Sequence, residues 1–324
     1  MNKKERVLSA ISGNKVDYVP SCFSLHFPEE KAFGKEGVES HIEFYRKTNT
    51  DIFKIMNENL VPHMGIIKSP SDWSKFKTIT LKDDFIQNQL DFVKKILERL
   101  HSDKELDEKV FTVGTLHGVI ASTIHPIEKK YGYRKSRELL CEHLRQEKND
   151  LLDAFKKIKE GMNILAEAYL DAGLDGVYYA SLGGEQHYFN DIEFEKYIEP
   201  LEKEILSNIK SNGYSILHIC KDNLNLNRYV NYTKYSDIIN WGVYEGGVSL
   251  EKGKEIFGDV TIMGGLKNRS GVLVNGTNAE IEKEVTKLIQ EFGKKEFILG
   301  ADCTLPTDIS YDRVAAAVKA ARKI

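Results

Sequence analysis

The feature that most constrains the fold is an alternation. Short apolar runs, each bounded by glycine, proline or polar turn residues, recur between longer segments with helical periodicity. Leu151, Phe155, Ile158, Met162, Leu165 and Tyr169 share one helix face, Gly173 suits the stop, and Gly176 to Ala180 reads as a buried strand. The unit then repeats. A helix from Phe194 to Ile209 precedes a strand from Ser215 to Cys220, and Tyr229 to Ile239 leads to a strand from Trp241 to Tyr244. A helix near Leu250 to Phe257 precedes Val260 to Gly264, and Thr277 with Glu280 forms a capping box for a helix ending at Phe292. After Gly293 comes a strand from Glu296 to Ala301, then an amphipathic helix from Tyr311 to Lys323. Val19 to Leu25, Asp51 to Met56 and Val110 to Gly114 add three more strands, making eight. Eight strands alternating with helices predict an α/β protein: a single (β/α)8 TIM barrel over residues 1–324, with an N-terminal helical extension. Residues 60 to 108 exceed what one helix and loop require, so an inserted helical excursion over the barrel mouth is expected there.

Composition fits this architecture and narrows the partners. At 324 residues the chain exceeds the roughly 250 that such a barrel needs. The net charge of -3 comes from 46 basic and 49 acidic residues without a block of either sign, which argues against a nucleic-acid surface. The charged, amphipathic start lacks the apolar core of a secretory signal, and no segment approaches membrane-spanning length. Four widely separated cysteines suit a reducing cytoplasm better than a disulfide framework, and Cys22 and Cys141 read as small buried hydrophobes. Monomer and homodimer remain equally open.

Catalytic groups of such barrels gather at the carboxyl ends of the strands. His218 and Cys220 end the predicted fifth strand, and their spacing of two places both side chains on one face. Cys303 falls just past the eighth. Two thiols and an imidazole are the donor set of a tetrahedral zinc site that keeps one position for a reactant. Thiolate-rich ligation holds a bound thiol as thiolate yet electron-rich, which favours alkylation of sulfur over hydrolysis. Glu245, past the sixth strand, is a candidate fourth ligand or catalytic carboxylate, although a solvated loop residue is an equal reading. His117, after the third strand, is a candidate catalytic donor to substrate, and a histidine satisfied by backbone is its alternative. Tyr178, Tyr179, Glu185, Gln186, His187, His26 and Asn57 also reach the rim, where packing or solvation accounts for them. Lys129, Lys130, Arg134 and Lys135 read as a solvated helix end, with docking of an acidic partner as the alternative.

Several segments resemble the uroporphyrinogen decarboxylase superfamily. They are Leu217-His-Ile-Cys220, Trp241-Gly-Val-Tyr-Glu-Gly-Gly-Val248, Met263-Gly-Gly-Leu-Lys-Asn268, Gly300-Ala-Asp-Cys-Thr-Leu-Pro306, and the opening from Arg6 to Pro20. Decarboxylases of that superfamily carry arginines after the first strand to grip the substrate's carboxylates. Here Pro20-Ser-Cys-Phe-Ser-Leu-His-Phe27 has none, and Gly264-Gly-Leu-Lys-Asn268 departs from the family's turn. The His-x-Cys and late cysteine are instead similar to the zinc- and corrinoid-dependent branch: methylcobamide:coenzyme M methyltransferases and related O-demethylase methyltransferases of anaerobes. Cobalamin-independent methionine synthase shows a similar order of ligands but carries a second barrel. The resemblance implies Zn2+ held by His218, Cys220 and Cys303, with Glu245 assigned by position alone. It further implies methyl transfer between a corrinoid (cobalamin) carried by a partner protein and a small thiol or methoxylated substrate, in either direction. A uroporphyrinogen-decarboxylase-like enzyme and a non-catalytic corrinoid-binding protein are the alternatives.

Overall fold

Each apolar run becomes a parallel strand because a helical connection returns the chain across the outer face of the sheet. The computed structural model describes residues 1–62, 65–103, 106 and 109–324. Its strands are β1 (Ser21–Cys22), β2 (Ile52–Ile55), β3 (Phe111–His117), β4 (Gly176–Ser181), β5 (Tyr214–Ile219), β6 (Ile238–Trp241), β7 (Thr261–Leu266) and β8 (Phe297–Ala301). They form one parallel sheet of eight in the order β1-β8-β7-β6-β5-β4-β3-β2. The two edges meet. The Asp51 N–H donates to the Ser21 carbonyl (3.1 Å), and the Asp51 carboxylate accepts from the Ser21 N–H (3.0 Å) and hydroxyl (2.9 Å). Arg6 Nη1, 2.9 Å from Asp51, neutralises that buried carboxylate. The (β/α)8 barrel is therefore joined at this seam by a backbone hydrogen bond and by the Asp51 side chain.

The helices are α1 (Lys3–Ile11), α2 (Gly34–Thr48), α3 (Asp84–Ser102), α4 (Val119–Tyr131), α5 (Tyr133–Arg145) and α6 (Asn149–Asp171). There follow α7 (Asp191–Glu193), α8 (Glu199–Asn212), α9 (Val243–Gly246), α10 (Leu250–Phe257), α11 (Val272–Asn275), α12 (Asn278–Phe292) and α13 (Tyr311–Ala321). Helix α1 is the N-terminal extension. Asn2 and Glu5 cap it reciprocally, and Val7 and Ala10 pack against Ile52, Phe111, Ile216, Ile238 and Ile298, so it plugs the amino-terminal end of the barrel. Among the described residues no helix is long and apolar enough to cross a membrane.

Two expectations are corrected. Between residues 60 and 108 the structure places a short 3-10 helix, Pro70–Lys75, and α3, the ordinary crossover to β3; residues 63, 64, 104, 105, 107 and 108 lie outside the described ones. The 3-10 helix packs on α6 through buried Trp73, whose indole donates to His143 (2.9 Å). The additional helices come after β3 instead, where α4 and α5 precede the crossover α6. Helix α5 leans on the loop after β4: Cys141 Sγ donates to the Tyr188 carbonyl (3.3 Å), and Arg145 pairs with Glu193 (2.6 Å). Periodicity shows that a segment is helical but not which surface it covers.

The sixth strand also starts earlier than expected. Trp241 ends it rather than opening it, and the segment before it is a 3-10 helix, Leu226–Lys234. Trp241 donates to the Val248 carbonyl (2.9 Å), and its ring lies so close to Gly253 that a Cβ there would sit 2.0 Å from it. The aromatic ring is thus spent on packing α10 to the sheet.

Candidate metal centre

Strand β5 points His218 into the barrel, with Ala180 of β4 and Asn240 of β6 as its register partners. Cys220 follows one residue past the strand on the same face, and Cys303 comes two residues past β8. The ligand atoms of His218, Cys220 and Cys303 lie within 4.8 Å of one another, and the two sulfurs are 3.9 Å apart. Among the described residues no other group of His, Cys, Asp and Glu gathers in this way.

Asn240 decides how His218 is presented. Its amide N donates to the carbonyls of Met263 (2.8 Å) and Ala301 (3.2 Å), which fixes its oxygen as the atom facing His218 Nδ1 at 2.6 Å. The Tyr178 hydroxyl donates to the same oxygen (3.1 Å). Nδ1 must then carry a hydrogen, and in the neutral ring the lone pair is left on Nε2. That Nε2 is buried and has no hydrogen-bond partner. A metal ligand that donates its other ring nitrogen to a neighbouring oxygen is the arrangement metal sites use to fix tautomer and direction.

The thiols tell the same story. The contact between the sulfurs pulls Cys303 well below the ordinary thiol range, helped by His218, and with burial pushes Cys220 up. The pair therefore retains a proton unless a cation lies between them. An orphaned imidazole nitrogen aimed with two thiols toward one point fits a thiophilic divalent ion such as zinc. Cys22, by contrast, lies in the barrel core with its thiol pushed by burial to about 12.

The other rim residues separate in space. His117 ends β3, packed edge-on to His125 at 5.3 Å. Burial, and then the proximity of His125, His26 and Lys54, hold it well below its usual value, so it is neutral. Glu245 is exposed on α9 and lies outside the ligand cluster. Asp302 caps that short helix by accepting from the N–H groups of Val243 (3.0 Å) and Tyr244 (2.9 Å), and burial still raises it to about 6. Tyr178 points inward, whereas the Tyr179 hydroxyl faces Glu202 outside the barrel (3.4 Å). Glu185 is not solvated as its loop position suggested: it is 2% exposed, accepts from the Gly183 N–H (2.8 Å) and lies 3.9 Å from buried Arg137 of α5. Gln186, His187 and His26 are exposed, Asn57 is buried, and Lys129, Lys130, Arg134 and Lys135 are solvated. Sequence reasoning overlooked Asn240 and Lys54, a polar and a basic residue inside apolar strand runs, which was the available signal.

No curated protein matches the sequence significantly. Among solved structures, a methyltransferase from Methanosarcina mazei shares 17% identity and a TM-score of 0.76, over 100% of this chain and 98% of that one. A B12-independent methionine synthase from Shewanella sp. W3-18-1, solved with selenomethionine, shares 12% identity and a TM-score of 0.59, over 94% of this chain and 97% of that one. At such identities the likeness is one of fold. The uroporphyrinogen decarboxylase (URO-D) family model matches residues 55–324, from the end of β2 through the metal-ligand candidates to the last residue, and the chain belongs to that family.

Proposed function

We propose that the protein is a zinc-dependent methyltransferase that moves a methyl group between a corrinoid carried by a partner protein and a small thiol or methoxylated substrate in the cytoplasm. The observation that carries this reading is the buried, unpartnered Nε2 of His218, set with Cys220 and Cys303 within 4.8 Å at the carboxyl end of the barrel. Family membership and the fold shared with methyltransferases support it. His218 Nε2 and the sulfurs of Cys220 and Cys303 would hold the zinc ion. When bound, the ion lowers the pKa of a coordinated thiol or polarises a methyl ether.

The chain's own residues supply the rest. Asn240 keeps His218 in one tautomer. His117 is neutral and makes no hydrogen bond through its ring among the described residues, so its ring N–H is open to donate a hydrogen bond to the substrate, whereas its lowered basicity does not suit it to hold a proton. Glu245 serves as a resting-state ligand only if the turn carrying it swings inward. The stretch from Pro20 to Phe27 holds no arginine to pair with a porphyrinogen's carboxylates.

The test combines metal content with turnover. Protein purified without chelator should hold about one zinc per chain, and Cys220→Ala and Cys303→Ala should lose most of it. The enzyme should accelerate demethylation of methylcobalamin by small thiols, or methylation of cob(I)alamin by methoxylated compounds. His218→Ala should slow whichever reaction occurs by about 10²-fold or more. Full zinc retention by both cysteine variants, or uroporphyrinogen turnover that survives them, would overturn the proposal.

A further inference from the structure

The barrel mouth contains a buried cation that the metal centre does not use. Lys54 is the next-to-last residue of β2, paired in register with Val113 of β3, and only 9% exposed. Its ammonium donates to Ser24 Oγ at 3.2 Å and lies 3.5 Å over the ring of Tyr178. Tyr178 is the residue that donates to Asn240, and its ring centroid is 5.5 Å from that of His218. Lys54 is therefore one side chain removed from the metal-ligand cluster.

Among the described residues no carboxylate forms an ion pair with Lys54. Burial holds the Lys54 ammonium below the ordinary lysine range, and the groups that work against this are the thiols of Cys22, Cys303 and Cys220 and the carboxylate of Glu58, which is already bonded to His26 at 2.6 Å. A divalent ion would cancel the charge of the Cys220 and Cys303 thiolates, and Cys22 stays protonated, so no surplus negative charge is left for the ammonium. Neighbouring groups add to the imbalance. Lys54 acts on His117 as a positive charge, and the Glu128 carboxylate is committed to His125 at 2.9 Å and to Arg137 at 2.7 Å. Burial of an ammonium opposite one hydroxyl and one aromatic face is unfavourable for folding, and such a residue is explained by a counter-charge that arrives with a ligand.

We propose that Lys54 binds the carboxylate of a short substrate whose other end presents the sulfur or oxygen that reacts at the metal centre. This rests on the methyltransferase reading and names its substrate class. One point charge with the Ser24 hydroxyl beside it matches a monoanionic carboxylate, whereas a phosphate would call for more donors. The cation missing from the segment after the first strand is thus supplied by the second.

The experiment is a calorimetric titration of the zinc-loaded wild type, Lys54→Met and Lys54→Arg. Each is titrated with two matched pairs: 3-mercaptopropionate against 3-mercapto-1-propanol, and methoxyacetate against 2-methoxyethanol. The wild type should prefer the acid of at least one pair by about 10-fold or more. Lys54→Met should abolish the preference while binding the neutral partner as the wild type does, and Lys54→Arg should retain part of it. Ligand-free Lys54→Met should melt no lower than the wild type, because a lone buried charge has been removed. Absence of a Lys54-dependent acid preference in both pairs overturns the assignment, as does unfolding of Lys54→Met. Zinc content measured on the same samples separates the two readings. Full zinc without the preference sinks the role of Lys54 alone. A wild type that holds no zinc sinks the metal reading, and the same titrations of metal-free protein then decide Lys54.

Discussion

His218 has one ring nitrogen committed to Asn240 and the other free, and that division is what suits it to the proposed role of ligand rather than to that of a core histidine. Asn240 in turn is held by two backbone carbonyls, so the direction of the imidazole lone pair is set by strands β6, β7 and β8 together. Replacing Asn240 by leucine should lower zinc affinity by about 10- to 100-fold, measured by competition with a chromophoric chelator. Asn240→Asp, which keeps an acceptor for Nδ1, should lose less. Both variants leave the carbonyls of Met263 and Ala301 short of a donor, at about 1–3 kcal/mol for each unsatisfied group, so melting temperature should fall in both. Equal zinc affinity in wild type and Asn240→Leu would show that the ring is oriented by packing alone.

At the scale of elements, α8 is fastened to the barrel by a carboxyl group. Glu202 is fully buried and accepts from Ser181 Oγ (2.7 Å), Tyr232 (3.0 Å) and Tyr179 (3.4 Å), joining α8 to β4 and to the 3-10 helix before β6. Burial outweighs those hydroxyl groups and raises Glu202 from its ordinary 4.5 to about 7. The folded state therefore holds this proton more tightly than the unfolded state does. The resulting stabilisation is complete below about pH 4.5 and is lost as pH rises through about 7. The melting temperature of the wild type relative to Glu202→Gln should fall steadily across that window in a series of buffers of equal ionic strength. A difference independent of pH would mean that Glu202 titrates as an exposed glutamate. This element also shows how a polar residue can dock a helix on a sheet without a charge partner.

For the whole molecule, the contacts that close the barrel and the proposed metal centre lie at opposite ends. The barrel is closed at the amino end by Arg6, Asp51 and Ser21 and filled by α1, whereas the ligand cluster sits on loops and strand ends at the opposite rim. Metal bound there adds only the free energy of its own association to a structure already formed. Chelation should leave the far-ultraviolet circular dichroism unchanged and unfolding cooperative, with the melting temperature lowered modestly. Loss of cooperative unfolding on chelation would make the centre structural, as in small zinc domains that fold only with metal.

The sequence by itself determined the barrel and the ligand candidates, because both depend on local periodicity. A buried parallel strand is a continuous apolar run, and a residue two positions from His218 in an extended chain must share its face. It could not assign Asn240, which lies in the run Ile-Ile-Asn-Trp and acquires its role only when β6 pairs with β5. Lys54 was hidden for the same reason: a lysine in a strand reads as solvent-facing until closure of the barrel turns that face inward. Glu185 was buried by Arg137, brought from a helix 48 residues earlier in the chain. Tertiary structure decided which side chains meet, since register across strands and the docking of α5 are set by contacts between segments far apart in sequence, and no local period records them.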